Sequence, residues 1–253
     1  MEMALTIAGF DPSGGAGIQE DLKVFRALGL YGISVVSSLT AQNSRGVEDV
    51  IPVASNFFGR QLEVLISDMR PKATKTGMLY TRANVVAVAE MIRKYSLKNV
   101  VIDPVMLSSS GKDLVERGLP ATLIRTLLPL CAVVTPNIYE ASALSGIRIK
   151  SPRDMEAAAV RLSELGAGSV IITGGHLERS AMDLVYDGRF HNLKGRKLAG
   201  EYHGTGCTFS AAITSSLAKG ESIPKAAEIA KKFMSKAFRK TFSPGKGMKF
   251  FNI

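Results

Sequence analysis

The chain has little that would mark it for a membrane, a secretory route or a zinc centre. It holds two cysteines and three histidines in 253 residues. Two cysteines, one of them (Cys131) inside an apolar run, make no disulfide framework, so a reducing cytosol is expected. No His-Glu-x-x-His stretch and no cysteine pair offers a zinc site. No apolar run reaches the about eighteen residues of a membrane span. The start has no basic region, and Glu2 and Asp11 flank its short apolar run, which argues against a signal peptide. There is no low-complexity linker and no internal repeat, so residues 1–253 read as a single domain.

Two nucleotide signatures are also missing. Gly14-Gly15-Ala16-Gly17 fails the dinucleotide fingerprint, because Glu20 stands where its last glycine belongs. Gly111-Lys112 is followed by Asp113, and Gly245-Lys246 by Gly247, so there is no P-loop. No nucleophilic triad stands out.

What is there is apolar and basic. Hydrophobic residues make up 46%, enough for a sizeable core, and the formal net charge is +10. Much of that charge lies late, at Lys231, Lys232, Lys236, Arg239, Lys240, Lys246 and Lys249. Without an aromatic ladder or a nucleic-acid motif, it reads as a solvated helix face. A basic surface also suits small phosphorylated substrates.

Periodicity predicts strands alternating with helices. Strands are expected near 3–9, 32–39, 73–77, 99–103, 132–135 and 169–173. Helices are expected after Gly17 and near 55–69, 82–95, 119–127, 152–165, 206–219 and 224–240, with another opened by Pro136-Asn137-Ile138-Tyr139-Glu140. Residues 40–46 and 104–118 read as loops, and 182–192 as a hairpin around Asp187-Gly188. This order implies a three-layer α/β/α fold with a mostly parallel central sheet. Right-handed crossovers then gather the strand C-terminal ends on one edge, where ligands bind in such sheets. That edge would collect Gly9, Gln42, Gly77-Met78, Asp103, Asn137, Glu140 and Gly174-Gly175. Asp21, at the border of its helix's apolar stripe, is expected to face a cleft.

The stretch His203-Gly204-Thr205-Gly206-Cys207-Thr208 is a glycine turn opening a small-residue helix. Helix N-termini carry unpaired N–H groups and attract anions. Glycines let those donors close on a ligand, and the field there would favour a Cys207 thiolate. The alternative is a Gly-capped turn with an inert cysteine. Asp103 and Glu140, near Asn137, are carboxylates at two strand ends that can hold Mg²⁺ through water; the alternative is ordinary helix-cap acids. Met78 and Val105 can line a pocket or belong to the core.

Seven motifs in one order carry a resemblance: Thr6–Gln19, Gln42–Gly46, Lys75–Met78, Asp103–Met106, Thr135–Ala141, Gly174–His176 and His203–Thr208. The chain resembles the hydroxymethylpyrimidine/phosphomethylpyrimidine kinases of thiamine biosynthesis, in the ribokinase-like superfamily. The resemblance implies ATP as co-substrate, Mg²⁺, and phosphorylation of 4-amino-5-hydroxymethyl-2-methylpyrimidine and then of its monophosphate. It implies a cytoplasmic homodimer that binds neither nucleic acid nor membrane. By position, Gly9, Asp21, Gln42, Met78 and Val105 would surround the pyrimidine. Gly204, Thr205 and Gly206 would form the anion hole, with Cys207 where most of the superfamily has an aspartate base. Asp103 and Glu140 would serve the metal. Asn137 and Thr173-Gly174-Gly175 would hold the nucleotide. Thr173 departs from the family's lysine, and Lys75 or another lysine is expected to compensate. The rivals are a pyridoxal kinase on the same scaffold and a non-catalytic pyrimidine sensor.

Overall fold

The computed structural model describes residues 1–108, 111–174, 182–195 and 200–253. In chain order the elements are β1 (Met3–Phe10), α1 (Gly17–Ala27), β2 (Tyr31–Asn43), β3 (Gly46–Pro52), α2 (Ser55–Asp68), β4 (Ala73–Thr76), α3 (Arg82–Tyr95), β5 (Val100–Ile102) and α4 (Leu119–Thr126). There follow β6 (Val133–Val134), α5 (Ile138–Ser145), α6 (Pro152–Glu164), β7 (Val170–Ile172), β8 (Asp183–Tyr186), β9 (Phe190–Leu193), α7 (Thr205–Ala218), α8 (Ile223–Ala237), β10 (Thr241–Phe242) and β11 (Phe250–Phe251).

A nine-stranded sheet runs β3-β2-β1-β4-β5-β6-β7-β8-β9. Strands β2, β1, β4, β5, β6 and β7 are parallel, and antiparallel hairpins close both edges. The chain leaves β1 for β2 on one side and later returns to β4 on the other. The topological switch point therefore falls between β1 and β4, where such sheets form a crevice.

Alternation along the strands feeds two cores. Leu5 and Ile7 of β1, and Val100 and Ile102 of β5, pack with α2 through α6. Ala4, Val101, Val133 and Ile171 face α1, α7 and α8. Helix α7 is buried on all sides from Thr208 to Ala218. Its Ala, Ser and Thr side chains let it lie close to the sheet, α1 and α8. The hydroxyls of Thr214, Ser215 and Ser216 return to carbonyls one turn back, so burial leaves them satisfied.

Two expectations change. Residues 40–46 are not all loop: β2 continues to Asn43 and pairs with an unexpected strand, β3. The register shifts between Ala41 and Gln42, a bulge that re-aims the Gln42 side chain. The short β10–β11 pair was not expected either. Among the described residues no helix is long and apolar enough to cross a membrane.

Candidate active site

The first turns of α1 and α7 meet at the sheet edge. They are held side by side by the Thr208 hydroxyl, which donates to buried Glu20 of α1 at 2.9 Å. Gly204, the N-cap of α7, has φ +75°, and a Cβ there would lie 1.9 Å from the Gly15 carbonyl oxygen. Only glycine lets the two loops touch. Beside them opens a cavity of about 1270 Å³. Its walls include Gly9, Gln42, Met78, Asp103, Val105, Asn137, Glu140, Thr173 and Gly204 through Cys207. The expected ring-binding residues are thus brought together, and Gly9 is packed so closely that a Cβ would lie 2.4 Å from Met78 Cε. Gly175 and His176 lie outside the described residues.

Asp21 does not line the cavity. It is fully buried, accepting from the Thr6 hydroxyl at 2.6 Å and from Lys75 Nζ at 2.9 Å. The side chain at the border of the α1 stripe points into the sheet, because β4 alternation turns Lys75 toward α1. Its contribution to a substrate is therefore indirect. Lys75 is fully buried as well and lies 3.7 Å from Asp103. Burial would lower its pKa, but the carboxylates of Asp21 and Asp103 outweigh that and keep it charged. It cannot stand in for a lysine at position 173. Among the described residues, the lysine on the cavity wall is Lys231 of α8, paired with Asp183, whose other oxygen accepts the Gly174 N–H.

The electrostatics of Cys207 run against expectation. Lys75 favours the thiolate, and the Gly17 backbone N–H adds to that pull. Burial is the larger effect and, with the charges of Asp21 and Asp103, pushes the thiol well above its ordinary range. The helix field is real but acts among carboxylates the sequence did not place there.

Asp103 and Glu140 meet at the cavity floor. The Ser210 hydroxyl donates to Asp103 at 2.9 Å. Burial raises the Asp103 carboxyl, opposed by Lys75. Burial and the Asp103 charge raise Glu140 to about 8. The helix-cap alternative for Glu140 is seen: Asn137 accepts from Tyr139 N and Glu140 N, and Glu140 Oε2 accepts from Asn137 N, forming a capping box for α5. Two buried carboxylates that repel each other form an oxygen-only set suited to a hard divalent cation. No group of three or more acidic, His or Cys side chains is placed to hold a metal ion among the described residues. Any metal there would complete its shell with water or phosphate.

Sequence reasoning gave no individual role to Asp11, His203 or Lys231. The signal for the first two was their place inside glycine-rich motifs. Lys231 carried no signal beyond a basic helix.

Comparison with known proteins decides the class. A match to the family described as phosphomethylpyrimidine kinase spans residues 11–252. The chain belongs to the phosphomethylpyrimidine kinase family. The kinase is 41% identical over 248 residues to the hydroxymethylpyrimidine/phosphomethylpyrimidine kinase of Bacillus subtilis, covering 96% of this chain and 92% of that one. It is 43% identical to a thiamine biosynthesis bifunctional protein of Geobacter sulfurreducens, spanning 96% of this chain but 50% of that protein's length. Its fold matches the ADP complex of Bacillus subtilis pyridoxal kinase with a TM-score of 0.91 at 39% identity, covering 99% and 96% of the two chains. The three-layer, ribokinase-like architecture is as the sequence implied.

Proposed function

We propose that this kinase phosphorylates 4-amino-5-hydroxymethyl-2-methylpyrimidine and then its monophosphate, with ATP as donor. One observation carries the reading. Gly9, Gln42, Met78 and Val105 share a cavity with the α7 N-terminus and the Asp103–Glu140 pair, and its volume exceeds that of a single small ring. The ring lies against Gly9 and Met78. In the first step the hydroxymethyl oxygen attacks the γ-phosphorus, the bond to the β-phosphate breaks, ADP leaves, and the alcohol proton passes to the thiolate of Cys207, the minor form that Lys75 favours. In the second step a phosphate oxygen of the monophosphate attacks instead. The N–H groups of Gly204, Thr205 and Gly206 take the charge of the moving phosphoryl group. Mg²⁺ held by Asp103 and Glu140 would neutralise phosphate charge. Asn137, Thr173, Gly174 and Gly175 hold the nucleotide, and Lys231 supplies the charge that Thr173 lacks.

Coupled assays of ADP release test this. The pyrimidine alcohol should be turned over with higher kcat/KM than pyridoxal. A clear preference for pyridoxal would replace this reading by the pyridoxal kinase one, to which the solved neighbour lends support. In the same assay Asp103→Asn and Glu140→Gln should each raise the Mg²⁺ needed for half-maximal rate while ring binding stays near normal. An unchanged requirement in both variants removes them from the metal role.

The single-domain kinase acts in the cytoplasm as a homodimer in this reading. Phe10, Leu39 and Ile51 lie in register across β1, β2 and β3 and are 37%, 50% and 64% exposed. That apolar row supports pairing of two copies over the hairpin. Sedimentation velocity should show a dimer that Ile51→Asp splits; a monomeric parent chain sinks the idea.

A further inference from the structure

Asp11 and His203 have no part in the chemistry above, yet they are densely bonded at the cavity wall. Asp11 Oδ1 accepts from the Ser13 N–H at 2.8 Å and the Ser13 hydroxyl at 2.7 Å. Its Oδ2 accepts from Ala16 N at 2.8 Å, Gly15 N at 3.1 Å and His203 Nε2 at 2.8 Å. Burial alone would raise this carboxyl; the His203 and Ser13 hydrogen bonds, helped by the nearby Gln42 amide, outweigh it and hold the pKa at about 2. Asp11 is therefore ionised at any working pH and can only accept.

That acceptor fixes two neighbours. His203 must point an N–H at it, so Nε2 carries hydrogen. His203 itself cannot swing away, because its ring packs on Phe250, with Gly15 so close that a Cβ would lie 2.5 Å from His203 Cδ2. The Gln42 amide nitrogen lies 3.5 Å from His203 Nε2. A ring nitrogen that gives its hydrogen to Asp11 has no lone pair for the amide. The Gln42 NH₂ group answers to the Asp11 charge instead: both groups lie against His203 Nε2, at 3.5 and 2.8 Å, and the amide helps keep the carboxyl low. A carboxylate repels a carbonyl, so the NH₂ end faces Asp11 and the carbonyl end is turned away. Gln42 lines the cavity, and its carbonyl has no hydrogen-bond partner among the described residues.

We infer that Asp11, clamped by His203, sets the ring preference of the site by holding the Gln42 amide with its carbonyl toward the substrate. An inward carbonyl accepts from a ring amino group. It repels an acceptor in the same place. In the aminopyrimidine the amino group is ortho to the reacting hydroxymethyl group. In pyridoxal the ortho group is an aldehyde, an acceptor. Asp11 and His203 are thus positioning residues acting through Gln42. The inference rests on the proposed contact of Gln42 with the ring.

The test reads a ratio, the kcat/KM for the aminopyrimidine alcohol over that for pyridoxal, in the full-length enzyme. Asp11→Asn lets the Gln42 amide turn either way. The ratio should fall about tenfold, the worth of one hydrogen bond whose loss leaves a polar group facing its like. The change should appear in KM more than in kcat. His203→Gln keeps an N–H toward Asp11 and should hold the parent ratio, whereas His203→Leu should lower it. If Asp11→Asn does not fold, the His203 pair carries the test alone. Equal losses on both substrates in Asp11→Asn, or in His203→Leu where that pair carries the test, overturn the inference and leave these residues as loop staples. Gln42→Met separates this failure from failure of the underlying contact. If Gln42→Met changes the ratio while Asp11→Asn and His203→Leu do not, the contact stands and the inference falls. If Gln42→Met leaves the ratio unchanged, the contact itself is wrong and the inference falls with it.

Discussion

Cys207→Ser is expected to lower kcat by roughly 10²–10⁴, the usual worth of a general base, with affinity for the pyrimidine mostly kept. A serine hydroxyl preserves the turn but is too weakly basic to take the alcohol proton. The surroundings of Cys207 add a second expectation. Burial, Asp21 and Asp103 keep the thiol the major form in the free enzyme, against the pull of Lys75, so the base is its minor thiolate. Alkylation of Cys207 at neutral pH should therefore be slower than that of an unperturbed thiol and should rise only in alkaline solution. Cys207→Asp puts a third carboxylate near Asp21 and Asp103, so it should recover only part of the rate. Single-turnover kinetics on the three proteins, with an alkylation pH profile, checks this. Should Cys207→Ser turn over as fast as the parent, the cysteine is a structural residue of the turn. Asp21, sealed under Thr6 and Lys75, then cannot replace it, and Asp103 on the cavity wall becomes the candidate.

Gly204→Ala and Gly206→Ala should fail in different ways, and the contrast tests the anion hole. At Gly204 the backbone is left-handed, at φ +75°, and a Cβ would lie 1.9 Å from a backbone oxygen. The strain alone costs about 1–2 kcal/mol. The clash adds to it, because a carbonyl cannot swing aside as a flexible side chain does. The loop of residues 11–16 and the first turn of α7 should part, breaking the Asp11–His203 link. Both Tm and kcat should fall, the latter by about 10²–10³, as for loss of a charge-stabilising donor. At Gly206 a Cβ meets nothing nearer than the Asp103 carboxyl at 3.9 Å. Gly206→Ala should fold with at least the parent Tm, since alanine suits a helix better than glycine. It should nevertheless lose activity, because its methyl group enters the space where the phosphoryl group would rest. Full activity in Gly206→Ala would move the transferred phosphoryl group away from the α7 N-terminus.

The elements with long, regular patterns were legible. Helices α1, α2, α3 and α6 repeat their buried positions along one face; α1 was expected after the Gly17 loop, and the others within a residue of their observed bounds. Strand β3 was not legible, because Val50 is its only buried residue and alternation fails. The two-residue strands β10 and β11 are too short to carry a period. In the cavity, Gly9, Gln42, Met78, Asp103, Asn137 and Glu140 were legible because parallel strands deliver their C-terminal ends to one edge.

The amino-acid sequence by itself determined the class of fold, the edge on which the site lies, and the glycine turn that opens α7. Each follows from local preference: apolar periodicity, the hand of crossovers, and glycine's freedom at positive φ. The tertiary structure decided which charges meet. His203 and Asp11 are 192 residues apart and bond at 2.8 Å. Asp21 and Lys75, read as a cleft residue and a candidate phosphate ligand, are buried against each other beneath the site. Lys231, one lysine among many on a basic helix, faces the cavity. The state of Cys207 turned from favoured thiolate to thiol for the same reason. Side-chain charge acts through space over a few ångströms, and no local pattern records which distant strand or helix will pack there.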